Sequence, residues 1–179
     1  MRAQDGDTVA VGLIFDRFAD PLFRYLAAKC QDAVLAEDVS GDTWLRVVER
    51  LHKFRIPDTK PEAAFASWLY RIAYNLMIDT QRRHGSHPGP LADDLAAPEM
   101  SAEDRLIRAE TGQALQVALA QLPAPQRDII LLRFVADRSS AEVASLTGQT
   151  EGAVRVMQHR ALRALARLLH VGSGEQDDG

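Results

Sequence analysis

Residues Ser139–Leu169, SSAEVASLTGQTEGAVRVMQHRALRALARLL, decide the fold class. Ser139 followed three residues later by Glu142 forms a capping box, and Gly148 supplies the left-handed residue that ends the short helix begun there. Thr150 restarts the chain as the next N-cap. Stepping about 100° per residue from Val154, the side chains Val154, Met157, Ala161, Leu162, Ala164, Leu165, Leu168 and Leu169 fall within an arc of roughly 160°, the buried side. The opposite arc gathers Arg155, His159, Arg160, Arg163 and Arg167, with Val156 its only apolar member and no acid. Two short helices about a glycine turn, the second carrying one basic face, predict a helix-turn-helix. Such a unit lays its second helix in the major groove of DNA. Arg155, Val156, His159 and Arg160 are then the base-facing candidates, and Arg163 and Arg167 the phosphate candidates. The competing reading is a basic face that is merely solvated.

Outward from this unit, helical periodicity fills the chain except between His84 and Met100, HGSHPGPLADDLAAPEM, which reads as a linker. The expected organisation is all-α: a helical domain over 9–83, a flexible acidic linker over 84–103, a second helical domain over 104–170 that contains the helix-turn-helix, and a disordered tail over 171–179. About 20 linker residues reach roughly 65 to 70 Å when extended, so the two domains could occupy separate sites on one duplex. The first domain is expected to hold a helix over Val9–Gln31, with Leu13, Phe15, Phe18, Leu22, Phe23 and Leu26 on its apolar face and a break or kink near Pro21. A second helix spans about Val34–Phe54, and a third begins at a Thr59/Glu62 capping box and runs to about Arg83. In the second domain Ser101 caps a helix over Ala102–Leu122, and another over about Pro125–Ala136 covers the helix-turn-helix with Ile129, Ile130, Leu132 and Phe134.

The net charge of −4 hides a pattern. By segment it is −4 over 1–45, +4 over 46–83, −5 over 84–104, +4 over 105–170 and −3 over 171–179. Two basic blocks around an acidic one fit two DNA-facing modules, because steering follows local potential. The first basic block contains the third helix, where Phe65, Trp68, Leu69, Ile72 and Leu76 form the core stripe and Tyr70, Arg71, Tyr74, Asn75 and Ile78 lie on the other side. Exposed aromatics beside a cation suit the stacking of unpaired bases. Alternatively the tyrosines pack against the first two helices with their hydroxyls at the rim.

Other classes are disfavoured. A single cysteine, Cys30, excludes a disulfide framework and points to the reducing cytoplasm. No apolar run is long enough to span a bilayer, and no signal peptide is evident, so no membrane insertion is expected. His52, His84, His87, His159 and His170 show no spacing with carboxylates or Cys30 that builds a metal site or a triad, so neither an enzyme nor a cofactor is expected. A two-domain helix-turn-helix regulator that never joins a polymerase, and a helical adaptor that binds only proteins, are the alternative readings.

Taken in order, AEDVSGDTWLRVVERLHKF at Ala36–Phe54, FASWLYRIAYNLMIDTQRR at Phe65–Arg83, LPAPQRDIILLRF at Leu122–Phe134 and SSAEVASLTGQTEGAVR at Ser139–Arg155 resemble bacterial sigma factors of the extracytoplasmic-function (ECF) group of the sigma-70 superfamily. The resemblance covers nearly the whole chain. It implies a non-catalytic subunit that binds core RNA polymerase and promoter DNA, reads two promoter elements and helps open the duplex, with an anti-sigma factor as a further partner and a monomer when free. It assigns polymerase docking to the helix at Ala36–Leu51, through Asp38, Asp42, Leu45 and Arg46. It gives the minus-ten element to Phe54, Trp68, Arg71 and Asn75, beside Tyr70 and Tyr74 from the aromatic face, and the minus-thirty-five element to the helix from Glu151 onward. The acidic linker, with Asp93, Asp94 and Glu99, is implied to enter the polymerase channels that later hold RNA. The chain departs from the family pattern at Gly41, inside the docking helix, at Gln158, within the buried arc, at Val156 and His159, and at Glu151 near the groove.

Overall fold

Caps set the boundaries of the helices in the computed structural model, which describes residues 2–84 and 102–174. Asp7 adopts extended backbone, and its carboxylate accepts from the N–H groups of Val9 and Ala10 at 3.0 and 3.1 Å, which starts α1 (Thr8–Cys30). The Ala10 N–H, together with the Arg2 guanidinium 2.7 Å away, holds the Asp7 carboxyl below the usual carboxylate range. Gln31 ends α1 in the left-handed region with φ 54°, and Asp32 caps α2 (Ala33–Arg50) through the N–H of Leu35. Beyond α2 the chain tightens into a single 3₁₀ turn, Leu51–Lys53, and Phe54 leaves it in extended backbone, so the helix expected to reach Phe54 stops short.

The third helix, α3 (Pro61–His84), does not use the expected Thr59/Glu62 box. Lys60, at φ 52°, occupies the cap position, its carbonyl accepting from the Ala64 N–H at 3.1 Å, and Pro61 begins the helix with its fixed φ. Glu62 is thereby free to pair with Arg17 of α1 at 2.9 Å. The core of this unit joins Leu22, Tyr25 and Leu26 to Ala36, Val39 and Val47, and to Leu69, Tyr70, Ala73 and Met77. Near its middle the Thr43 hydroxyl donates to the Val39 carbonyl at 2.7 Å and is thus satisfied. Leu13 and Phe15, expected on the apolar face of α1, are 65% and 47% exposed. Leu13 lies nine residues before Leu22, about half a turn round the helix. Phe15 meets Trp44 at the rim, with ring centres 4.8 Å apart.

The second unit comprises α4 (Ala102–Gln121), α5 (Ala124–Ile130), a wide π-helical turn (Leu131–Val135), α6 (Ser140–Thr147) and α7 (Glu151–Gly174). Ser101, Asp93, Asp94, Glu99 and the rest of 85–101 lie outside the described residues. Leu119, Leu122, four consecutive residues Ile129–Leu132, Val143, Val154, Ala161 and Leu165 fill the core. Phe134, expected to cover the helix-turn-helix, is instead 56% exposed. From Leu131 on the helix widens: the Ala136 N–H reaches back to the Leu131 carbonyl and that of Arg138 to Leu132, so Phe134 no longer follows an α-helical face. Leu162, at the edge of its arc, is likewise exposed. Helix α7 extends to Gly174, into the segment expected to be a disordered tail, and residues 175–179 lie outside the described region.

The turn unit follows its sequence signals. Ser139 Oγ accepts from the Glu142 N–H at 3.2 Å, and the Glu142 carboxylate accepts from the Ser139 N–H at 2.7 Å. Gly148 closes α6 at φ 70°, and Thr150 Oγ1 accepts from the Ala153 N–H at 3.2 Å to open α7. Replacing Ser139 with alanine leaves the Glu142 N–H without its cap, and is expected to cost about 1 kcal/mol. Urea unfolding of the second unit checks this: the midpoint should fall with little change in slope.

Candidate nucleic-acid interface

Along α3, residues turn about 100° apiece, so Trp68, Arg71 and Asn75 share an arc roughly 60° wide. Arg71 and Asn75 on this arc are exposed and Trp68 is half-buried. Phe54, arriving from the turn after α2, lies on Trp68 with ring centres 5.0 Å apart and planes 33° from parallel. Both rings rest on Phe65, at 5.7 Å each, and Phe65 in turn rests on Phe18 of α1 at 5.2 Å. The outer pair is therefore held from beneath by the core. Beside it an apolar hollow of about 250 Å³ opens between Ile14, Phe18, Leu51, Phe54, Ile56 and Phe65. Arg82, exposed two turns beyond Asn75, falls on the same arc and extends its positive charge. The spacing 68, 71, 75, 82 is the sequence signal for it.

Tyr70 and Tyr74 do not belong to this surface. Tyr70 is only 2% exposed, on the side of α3 turned away from Trp68, and its ring meets Tyr25 edge-on at 5.5 Å. Tyr74 is half-buried, and the Lys29 ammonium of α1 sits 5.5 Å from its ring centre, so its face is already occupied by a cation. Of the two readings of these tyrosines, packing against the preceding helices is the one the structure adopts. The physical reason is that α3 is apolar nearly all round between Phe65 and Ile78, with Ala73 and Met77 as buried as Leu69.

On α2, Asp38, Asp42 and Leu45 point outward together, Leu45 being 59% exposed, and Arg46 is half-buried at the edge of that face. Val34 and Val48, which sequence reading left aside, are exposed on the same side. Gly41 lies among them, and a Cβ placed there would meet nothing within 4 Å. The result is an acidic face with apolar side chains left in water.

On α7, Arg155, Val156, His159, Arg160, Arg163 and Arg167 are all exposed, opposite the buried Val154, Ala161 and Leu165. Two departures from the family pattern acquire partners. The Glu151 carboxylate pairs with the Arg155 guanidinium one turn on, so the acid near the groove is matched within the helix. Gln158, set in the apolar arc, accepts from Arg133 Nε at 3.1 Å, and Arg133 also donates to the Arg138 carbonyl. Arg138 in turn donates to the Ala136 carbonyl at 2.7 Å and pairs with Glu142 at 3.2 Å. One polar network thus ties α7 to the wide turn and to the cap of α6. Among the described residues no group of three potential metal ligands occurs, and no helix is long and apolar enough to cross a membrane.

Comparison with known proteins gives the family. Residues 14–87 match the family model described as sigma-70 region 2, and residues 112–165 that described as sigma-70, region 4. The chain is 34% identical over 172 residues to the ECF RNA polymerase sigma factor BldN of Streptomyces coelicolor, a match covering 94% of this chain and 63% of that protein. It is 30% identical over 167 residues to the ECF RNA polymerase sigma factor SigD of Mycobacterium tuberculosis, covering 89% of this chain and 77% of that one. With SigL of the same species it shares 35% over 154 residues, covering 85% and 84%. Among solved structures, CnrH bound to the cytosolic domain of CnrY superposes with a TM-score of 0.68 at 24% identity, covering 95% of this chain and 94% of that one. RpoE of Bartonella quintana, bound to the anti-sigma factor NepR, superposes at 0.66 and 21% identity, covering 88% and 97%.

The burial pattern on α3 separates packing from recognition. Tyr70→Ala is expected to cost about 3 to 5 kcal/mol of stability as a large core truncation, whereas Arg71→Ala should stay within about 0.5 kcal/mol. Denaturant unfolding of the two variants checks this. Similar losses from both would contradict the outward placement of Arg71.

Proposed function

The chain belongs to the ECF group of the sigma-70 family, and from that premise we propose how its surfaces share the work of promoter-specific transcription initiation. The observation that carries the proposal is the pairing, on two separate helical units, of an outward aromatic-and-basic arc on α3 with an acid-free basic face on α7. The chain loads onto core RNA polymerase, which supplies all catalysis, and it has no reaction of its own. It works in the cytoplasm, where that polymerase is.

The face of α2 formed by Asp38, Asp42 and Leu45, with Arg46 at its edge, is the docking surface. Exposed acids suit a basic partner helix, while Val34, Leu45 and Val48 offer apolar area that is stable only once covered. The missing side chain at Gly41 lets a partner approach the helix backbone closely. The minus-ten element meets Phe54, Trp68, Arg71 and Asn75. Extruding a base costs a few kcal/mol, which stacking on an aromatic ring already held in place repays at about 1 to 3 kcal/mol per base. Arg71 and Arg82 line the path of the strand's phosphates.

The minus-thirty-five element receives α7 in its major groove. Arg155, Val156, His159 and Arg160, in the first turns, face base edges. Arg163 and Arg167, further along, face the backbone, where contacts position the helix without reading sequence. The pair with Glu151 holds Arg155 in one direction before DNA arrives. CnrH and RpoE were solved with CnrY and with the anti-sigma factor NepR respectively, and an inhibitory partner of that kind is proposed for this chain as well.

Run-off transcription with purified core enzyme on a promoter library should yield defined start sites; their absence beside intact duplex binding would favour a regulator that works without polymerase. Asp38→Arg combined with Asp42→Arg should abolish co-purification with core enzyme and spare duplex binding. Arg160→Ala should weaken promoter binding by about 1 to 3 kcal/mol and relax choice at one base pair, while Arg167→Ala should weaken all sequences alike. Competition binding at fixed salt distinguishes the two, and equal sequence-blind losses would refute the groove assignment.

A further inference from the structure

The N-terminal turn is built to hold the turn that carries Phe54. Residues Arg2–Asp5 form one 3₁₀ turn, closed by the Asp7 N–H on the Arg2 carbonyl at 3.1 Å and by the Arg2–Asp7 ion pair, with Gly6 reversing the chain at φ 87°. That closed loop presents Gln4. Its side-chain amide donates to the Leu51 carbonyl at 3.0 Å and to the Phe54 carbonyl at 2.6 Å, across 47 and 50 residues of sequence. Both bonds are partly buried, and both protons of one NH₂ group are used. The Leu51 carbonyl also receives the Phe54 N–H at 3.1 Å, so Gln4 secures both carbonyls that bracket the turn.

We propose that Gln4 is a positioning residue for Phe54. By fixing the carbonyls on either side of the turn it keeps the Phe54 ring on Trp68, so that the aromatic pair is ordered before a base arrives and little ordering remains to be done on binding. Gln4 touches no DNA. The inference rests on the assignment of Phe54 and Trp68 to the minus-ten strand made above.

The test uses the full chain assembled with core polymerase. Gln4→Met keeps the side-chain length and removes the donors, and Gln4→Glu offers a second variant of nearly the same shape with an acceptor where the donor was. Strand opening is read by permanganate reactivity of unpaired thymines in the minus-ten element, and binding of a duplex carrying only the minus-thirty-five element serves as the control. Gln4→Met should lower open-complex yield about fivefold, roughly the equilibrium factor of one ordinary hydrogen bond, and leave the control unchanged. In a Phe54→Ala background it should cause no further loss, because its effect passes through that ring. Equal losses in both backgrounds, or full opening by Gln4→Met and Gln4→Glu beside a defective Phe54→Ala chain, would overturn this inference alone. Normal opening by Phe54→Ala would instead overturn the minus-ten assignment and this inference with it.

Discussion

A helix that is apolar almost all the way round can offer water only one strip, and α3 is such a helix between Phe65 and Ile78. Leu69, Tyr70, Ala73 and Met77 turn inward toward α1 and α2, and the strip left over holds Trp68, Arg71 and Asn75. Core and proposed recognition surface are thus two sides of one packing problem. The aromatic stack from Phe18 through Phe65 to Trp68 and Phe54 runs from the interior to that strip without a gap. The outermost rings inherit the rigidity of the interior, as a stacking platform requires if it is to receive a base without first being ordered.

In the second unit the same end is reached by polar means. Helix α7 is seated by an apolar arc and tied down by Arg133, whose guanidinium reaches Gln158 on α7 and the chain just before α6. A leucine at 158 would bury more apolar area but would leave Arg133 without that partner. The glutamine that interrupts the arc therefore links the two helices of the helix-turn-helix to the wide turn behind them.

Local chemistry was legible in the sequence. The Ser139/Glu142 box, Gly148 and Thr150 each act over three or four residues, and the structure uses each as the residue types demand. The exposed basic face of α7 follows from spacing alone. What could not be read off was whatever depends on a partner distant in sequence. Tyr70 and Tyr74 looked like a surface because they lie opposite the Trp68 stripe, yet Tyr25 and Lys29 of α1 are waiting there. Phe134 fits an α-helical face that the chain abandons at Leu131, and Glu62 forsakes its local cap for Arg17. Gln4 gave no signal, since both of its acceptors are backbone carbonyls some fifty residues away.

One last consequence concerns sulfur. Cys30, the sole cysteine of the chain, packs at the end of α1 with its Sγ 3.7 Å from Met77 Sδ, and burial pushes its thiol up to about 12. At neutral pH this keeps the group in its protonated, weakly nucleophilic form. The same shift means that a thiol engineered onto the exposed surface would react with a maleimide ahead of Cys30.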